Sequence, residues 1–460
     1  MYRIQLEYMK NWLQKGENRK PLVIRGARQV GKSTLVKLFA AEMGLKLNEV
    51  NLEKYKFLND VFKTLSLNTI VTELDAIPKL PGMGKGTLLF LDEIQSTPFA
   101  LPSLRYFYEE LNEQPVVAAG SLLEFLLKDH DFSMPVGRVQ YLHLGPMTFS
   151  EFLIALDEEK LAKKIYNFNI EKVNNSMSEI GSLAHERLLE LVRIYFFVGG
   201  MPEAVSVYSK TRKLKNAMEV HRSILDTYRD DFPKYIGSRN LTRMLNVFDK
   251  IPPQIGRKIK YSNFSADEAG SLIKRDLEIL RLARIANRVS HSSCNGLPLQ
   301  AEADESISKL LFLDIGLVNC ILGLAWGNMP KVSDDRLVNE GPLAEQFIGQ
   351  HLVDHIRNKT GNELNYWLRE GKQTNAEIDF VIALNGTIIP IEVKAGKAGS
   401  LKSLHQFMFE KKLKTAIRFD CNTPLKQKIS TKIQTKQGQM QVEYELVSLP
   451  LYLVESIFNA

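Results

Sequence analysis

The chain has 460 residues, 44% hydrophobic and 25% charged, so it is too long for a single core and reads as about three ordinary globular domains. Its net charge is +7, no run of about 18 uncharged apolar residues is present to cross a membrane, and the N-terminus MYRIQLEYMKNWL has no signal-peptide pattern. Three widely spaced cysteines, Cys294, Cys320 and Cys421, argue against a disulfide framework or a cysteine-rich zinc site and favour the reducing cytoplasm.

The first element is a short apolar strand, Leu22, Val23 and Ile24, followed by Gly26, Ala27, Arg28, Gln29, Val30, Gly31, Lys32, Ser33 and Thr34. Helical spacing then sets in with Leu35, Leu38 and Phe39. This is GxxxxGK[ST] in a strand–loop–helix context, a loop whose backbone N–H groups close around phosphate at a helix N-terminus. Lys32 is expected on the β- and γ-phosphates of ATP, and the Ser33 hydroxyl on magnesium. A second apolar strand, within GTLLFLDEIQ, ends in Asp92 and Glu93. Asp92 stands where the magnesium shell needs an acid, and Glu93 where a base would polarise the attacking water. Two adjacent carboxylates at a buried strand end repel unless a cation lies by them. The run 115–120 reads as the strand between these two, with Ser121 at its end as a γ-phosphate sensor. Arg138, before the strand VQYLHL, is either a catalytic arginine finger, in cis or from another subunit, or a surface arginine.

Residues 157–182 are polar and read as a linker or an exposed helical insertion. From 185 to 234 the periodicity is helical, broken by GGMPEAV, and suggests a helical lid beside the ATP site. Residues 240–316 suggest a winged helix. Ser265 with Glu268 forms a capping box, and Ile273, Leu277 and Leu280 make a core stripe with Lys274, Arg275 and Arg281 off it. Two strands, 284–290 and 310–314, would flank the wing. Such a module binds DNA or only protein.

A helix from about 342 to 356 carries Glu345 on the same face as Ile348, Leu352 and Ile356. Three strands follow, 363–369, 376–384 and 387–394, the last two joined by Asn385-Gly386, a strong hairpin signal. The two-residue turn sets the register, so that Asp379 faces Glu392 across the ladder at about 5 Å, with Lys394 on the same face as Glu392. These residues either form a divalent-metal site for phosphodiester hydrolysis, with Glu345, Asp379 and Glu392 as ligands and Lys394 activating water, or an ion-pair ladder. From 395 to 440 there are ten Lys and Arg against two acids, which is either a polyanion-binding patch or a solvated basic face.

The pattern Asp379…Glu392-Val393-Lys394, with Glu345 upstream and Gln406 on the following helix, resembles the PD-(D/E)XK nuclease superfamily. The whole chain is similar to a bacterial and archaeal family that joins an AAA-type ATPase to a C-terminal domain of unknown function with that nuclease-like fold. The motifs that carry the likeness are RGARQVGKST, LLFLDEIQ, AAGSLLEFLL, VGRV…LGPMTFSEFL, YFFVGGMPEAV, ILDTYRDDFPKY, KLLFLDIGL and AEIDFVIALNG…IPIEVKAG. The resemblance implies nucleotide contacts at positions 26–34, magnesium and water at Asp92 and Glu93, and nuclease-like positions at Glu345, Asp379, Glu392 and Lys394. The expected fold is a multidomain α/β chain. A P-loop ATPase domain occupies 1–156, a helical lid 157–238, a winged-helix-like domain 239–335 and a restriction-endonuclease-like domain 336–460. Two functions fit these parts. One is an ATPase with ATP and Mg2+ that acts on nucleic acid, DNA ahead of RNA, through a metal-dependent nuclease-like domain. The other is a nucleotide-dependent switch or scaffold whose nuclease-like domain is inert and binds nucleic acid or protein. No membrane partner is expected, and a homo-oligomer or a protein partner is compatible with either.

Overall fold

Apolar runs without polar alternation belong in sheets covered on both faces, and this is where the runs 22–24, 88–91 and 116–120 of the first unit lie. The computed structural model describes residues 1–121, 137–173, 180–236, 240–323, 341–360, 362–369, 376–394, 401–435 and 438–458. The chain divides into two compact units, Met1–Gly145 with Leu282–Ile285, and Pro146–Arg281 with Ala286–Ala460. In the first unit β1 (Leu22–Arg25), β2 (Lys46–Asn51), β3 (Thr87–Asp92), β4 (Val116–Gly120) and β5 (Gln140–His143) form a sheet in the order β2-β3-β4-β1-β5. Every pairing in it is parallel. All residues of β3 and β4 are buried. The helix α1 (Lys32–Glu42) follows the phosphate loop and buries Leu35, Val36, Phe39 and Ala40. Because the strands are parallel, the residues after β1, β3 and β4 all leave the same edge of the sheet. As the sequence suggests, β4 lies between the two motif-bearing strands.

The break between units falls at Gly145, earlier than the boundary at 156 expected from sequence. The TFSEFL segment forms a helix, Phe149–Ala155, with a capping box between Thr148 and Glu151. Its Phe149 N–H donates to His351 Nε2 at 2.9 Å, and its Phe149 and Phe152 rings pack edge-on against Tyr195. Burial of these two aromatics assigns the segment to the second unit. Residues 157–182, expected as a linker or an exposed helical insertion, contain a helix at Glu159–Tyr166 that buries Ala162 and Ile165; residues 174–179 lie outside the described residues.

The second unit carries α2 (Ser182–Val198), α3 (Pro202–Thr211), α4 (Leu214–Asp231), α5 (Leu241–Lys250), α6 (Gly270–Leu282), α7 (Ile315–Ile321), α8 (Gly341–Thr360) and α9 (Lys402–Lys411). Its strands are β6 (Ala286–Ser292), β7 (Ala303–Phe312), β8 (Leu364–Arg369), β9 (Ala376–Leu384), β10 (Thr387–Val393), β11 (Thr415–Asp420), β12 (Leu425–Thr435) and β13 (Gly438–Pro450). The GGMPEAV break between α2 and α3 has a local cause. Gly199 adopts φ +61° and ψ −163°, and a Cβ there would lie 2.0 Å from Asp314 Oδ1. Asp314 is fully buried, accepts the Gly200 N–H at 2.6 Å and the Gly316 N–H at 2.9 Å, and caps α7. Burial pushes its carboxyl up to about 6 against these N–H donors. The break is therefore a buried junction between two helical segments.

Where a winged helix is expected, two helices and an antiparallel strand pair follow in order as α5, α6 and β6–β7. They do not form a sheet of their own, because β6 also pairs in parallel with β8. The hairpin is thereby the edge of one eight-stranded sheet, in the order β12-β13-β11-β10-β9-β8-β6-β7. The separate domain expected at 239–335 thus shares its sheet with the domain that follows. The expected boundary itself, at 335–336, lies outside the described residues. The Ser265–Glu268 capping box does not form. Helix α6 starts at Gly270, and Ser265 Oγ instead accepts the Asp267 N–H at 3.3 Å, closing a local turn that competes with the cap. The stripe on α6 is as expected, with Ile273, Leu277 and Leu280 buried and Lys274 and Arg275 exposed. Arg281 is held by Glu278 and Glu363. Strand β7 begins at Ala303, earlier than 310, because its exposed polar end has no apolar run to announce it.

Candidate nucleotide site and acidic cluster

At the carboxyl edge of the first sheet, the loop after β1 turns into α1 with Gly31 as N-cap. Ala27 and Val30 are buried, Gly26, Arg28 and Ser33 are half-buried, and Gln29 and Thr34 are exposed. Lys32 is buried and donates to the carbonyls of Gly26 at 3.0 Å and Ala27 at 2.8 Å, so its ammonium sits at the mouth of the loop. Burial brings its pKa down to about 8, with the nearby Glu93 and Asp92 carboxylates opposing that shift. Ser33 Oγ donates to Asp92 Oδ2 at 2.8 Å, joining the two expected magnesium ligands. Burial raises the Asp92 carboxyl, and the Ser33 bond partly offsets this. Ser121 is buried at the end of β4, and its hydroxyl has no hydrogen-bond partner among the described residues. A buried hydroxyl left in this way is one a bound oxygen would satisfy.

Glu93 follows β3 in the left-handed region, φ +53°, and its N–H donates to Asp92 Oδ1 at 3.0 Å. Gln95 Nε2 donates to Glu93 Oε2. The Gln95 amide occupies space that Gly120 leaves open, since a Cβ on Gly120 would lie 2.4 Å from Gln95 Oε1. Gln95 closes the LLFLDEIQ run two residues after the acid pair, but no role is expected of it from sequence. Gln95→Ala is expected to lower kcat for ATP hydrolysis by about tenfold with KM little changed, since one hydrogen bond to a charged group is worth roughly 1.5–3 kcal/mol. Steady-state phosphate release measures it, and an unchanged kcat would remove Gln95 from the site.

Arg138 is not brought to the phosphate loop of its own chain. In the parallel register Leu22 pairs with Gln140 and Arg25 with His143, so residue 138 precedes the amino edge of the sheet while the loop leaves the carboxyl edge. About 10 Å of strand separates those edges. Arg138 Nε instead donates to Glu109 Oε1 at 2.7 Å, and its guanidinium lies over Tyr108. The finger role in cis is corrected on this ground; a role in trans is compatible with the exposed position of Arg138.

In the second unit the hairpin register is the one its turn dictates. Asn385 and Gly386 take φ +48° and +73°, and the ladder runs from Thr387↔Leu384 to Ile391↔Phe380. The ladder ends there, one step before the expected pair Asp379 and Glu392. Asp379 Oδ2 accepts the Val393 N–H at 2.7 Å, and Lys394 Nζ pairs with Glu392. Glu345, buried on α8, reaches the same place from above the sheet. Two further residues join them, Lys309 and Glu377, which lie within the KLLFLDIGL and AEIDFVIALNG runs but of which no role is expected from sequence. Lys309 of β7 donates to Glu345 Oε1 at 2.9 Å, pairs with Glu377 of β9, and lies 4.0 Å from Asp379 Oδ1. Burial raises the carboxyls of Glu345 and Glu392, each further raised by Asp379. Burial also acts to lower Lys309, but Glu345, Asp379 and Glu377 together push it well above the usual lysine value. Among the described residues no group of three or more His, Cys, Asp or Glu is arranged to hold a metal ion. Glu377 is legible in principle, two residues before Asp379 on the same strand face. Gln406 on α9 donates along its helix to Glu410 at 2.8 Å.

Of the basic stretch 395–440, residues 395–400 and 436–437 lie outside the described residues. Lys428 and Lys432 on β12 are exposed, Lys426 pairs with Glu445, and Arg418 pairs with Asp420. Cys294, Cys320 and Cys421 are free thiols. No helix among the described residues is long and apolar enough to cross a membrane.

A parallel sheet whose carboxyl edge presents this loop, Ser33, Asp92 and Glu93 defines a P-loop nucleotide-binding domain. Residues 18–153 match an AAA domain model, so this domain is of the AAA ATPase type. Residues 189–327 and 340–451 match two domains of unknown function, DUF8612 and DUF4143. No curated protein matches the chain. Solved structures with some likeness include a Walker-type ATPase of Pyrococcus abyssi, at 16% identity and TM-score 0.42 over 69% of this chain and 95% of that one. The ORC2 protein of Aeropyrum pernix, in ADPNP–ADP complexes, matches at 12% identity and TM-score 0.33 over 70% of this chain and 94% of that one. The Thermotoga maritima RuvB Holliday junction branch migration motor matches at 16% identity and TM-score 0.28 over 62% of this chain and 87% of that one.

Proposed function

We propose that this chain hydrolyses ATP at the carboxyl edge of its first sheet and uses the nucleotide cycle to act on nucleic acid bound by its second unit. The observation that carries the first part is the Ser33 Oγ to Asp92 Oδ2 bond at 2.8 Å, with Glu93 adjacent and Lys32 at the loop mouth. Magnesium is implied by this class, and the donor set fits it, because a hydroxyl and a carboxylate supply hard oxygens. When bound there, the ion would neutralise charge on the phosphate oxygens. Lys32 holds the phosphates by charge, Ser121 offers a buried hydroxyl to the terminal phosphate, and Glu93 takes a proton from the attacking water. Exposed Lys274 and Arg275 on α6, with Lys428 and Lys432 on β12, support a polyanionic partner, DNA ahead of RNA. A homo-oligomer would allow Arg138 to serve a neighbour's nucleotide.

The test is phosphate release with Mg2+, with and without single- and double-stranded DNA. Lys32→Ala is expected to weaken ATP binding by roughly tenfold or more, since a charged hydrogen bond is worth about 1.5–3 kcal/mol. DNA is expected to change the hydrolysis rate, less so as salt rises. Hydrolysis that needs Lys32 but is indifferent to DNA, with no DNA retained on filters, would overturn the nucleic-acid part and leave a switch with a protein partner. Metal-dependent cleavage by Glu345, Asp379, Glu392 and Lys394 is the other reading, favoured by their convergence. The position of Lys309 among those carboxylates weighs against it.

A further inference from the structure

We infer that Lys309 is the built-in counter-ion of the acidic cluster, standing where the nuclease resemblance would put a divalent metal, so that the cluster does not bind one. Three observations carry this. The Lys309 side chain is 2% exposed, so its ammonium has no path to swing into solvent. It hydrogen-bonds Glu345, pairs with Glu377 and approaches Asp379, so its N–H donors are directed at the oxygens a metal would need. Its position is set by backbone, since Lys309 pairs with Val289 in the β6–β7 ladder and also bridges Lys258 on the other side. The ring of Tyr366 lies 5.1 Å from the ammonium and completes its surroundings.

Magnesium demands near-octahedral oxygen ligation at about 2.0–2.1 Å and keeps several waters. An ammonium at 2.9 Å from Glu345 Oε1 and 4.0 Å from Asp379 Oδ1 takes that space and repels a second cation at short range. In the second carboxylate pair Lys394 pairs with one oxygen of Glu392, whose Oε2 is buried with no hydrogen-bond partner among the described residues, and the Val393 N–H holds Asp379 Oδ2. The residues present therefore do not fit a metal, although the four nuclease-like positions are all in place. Lys309 comes from the strand that edges the shared sheet, so a cation from the preceding segment of chain closes the site. This is independent of the ATP reading, and loss of ATPase activity would not bear on it.

The experiment is Mn2+ binding to the nucleotide-free full chain at neutral pH, followed by the electron-spin resonance of free Mn2+. Asp92→Asn is present throughout, so that the phosphate-loop unit contributes no ion. With Lys309 in place no Mn2+ sensitive to Asp379→Asn is expected. Lys309→Met is expected to raise Mn2+ affinity by about tenfold or more, and adding Asp379→Asn should abolish the gain. If Lys309→Met fails to fold, Lys309→Met with Glu377→Gln removes one charge of each sign and carries the same measurement. A chain with Lys309 intact that binds Mn2+ through Asp379 would overturn the inference. So would a folded Lys309 variant that gains no binding.

Discussion

Glu93→Gln is expected to slow ATP hydrolysis by about 10²–10⁴-fold while nucleotide binding changes by no more than a few fold, the range associated with loss of a general base. The geometry makes this separation. On the proposed reading Lys32 and the loop would hold phosphate without Glu93, and Ser33, bonded to Asp92, would form the metal side of the site. Glu93 adopts a left-handed backbone at φ +53°, a conformation that costs a non-glycine residue roughly 1–2 kcal/mol. Such strain persists where surrounding structure over-determines it, here through the bond to Asp92 Oδ1 and the amide of Gln95. Glutamine keeps the shape and the polar contact to Gln95 and removes only the basic oxygen. Single-turnover phosphate release and a fluorescent nucleotide titration separate the two effects. A rate within a few fold of the parent chain would take the base role from Glu93.

Gly199→Ala is expected to destabilise the second unit by about 3–5 kcal/mol, a loss of the size reserved for buried polar networks and strained backbone. The added methyl would lie 2.0 Å from Asp314 Oδ1, at a φ and ψ that only glycine holds easily. Relief requires Asp314 to move. That would leave the N–H groups of Gly200 and Gly316 buried without a partner, at about 1–3 kcal/mol each. The urea midpoint of the chain should fall accordingly. A midpoint shift corresponding to less than about 1 kcal/mol would mean that the junction yields without cost, contrary to the packing around Asp314.

Chemistry written in contiguous residues is legible in the sequence by itself. The loop from Gly26 to Thr34, the strand ending at Asp92 and Glu93, and the strand ending at Ser121 are local patterns, and the sheet brings Ser33 to Asp92 as they require. The Asn385-Gly386 turn likewise determines a register across β9 and β10, because a two-residue hairpin has one dominant geometry. Helical periodicity places the core stripe of α6, since burial of one face repeats every three to four residues.

What the tertiary structure decided was the relations between distant segments that no motif ties together. Val289 pairs with Leu364 across about 75 residues of intervening chain, and nothing local in either strand announces a shared sheet. That pairing turned an expected wing into a sheet edge, and with it put Lys309 among Glu345, Glu377 and Asp379. The parallel register of β1 and β5 likewise put Arg138 at the amino edge, away from the loop its sequence context suggested. A motif specifies its own backbone geometry because its atoms are bonded neighbours. Which cation answers a buried carboxylate depends on strand order, and strand order is settled by which apolar faces the whole chain can bury at once.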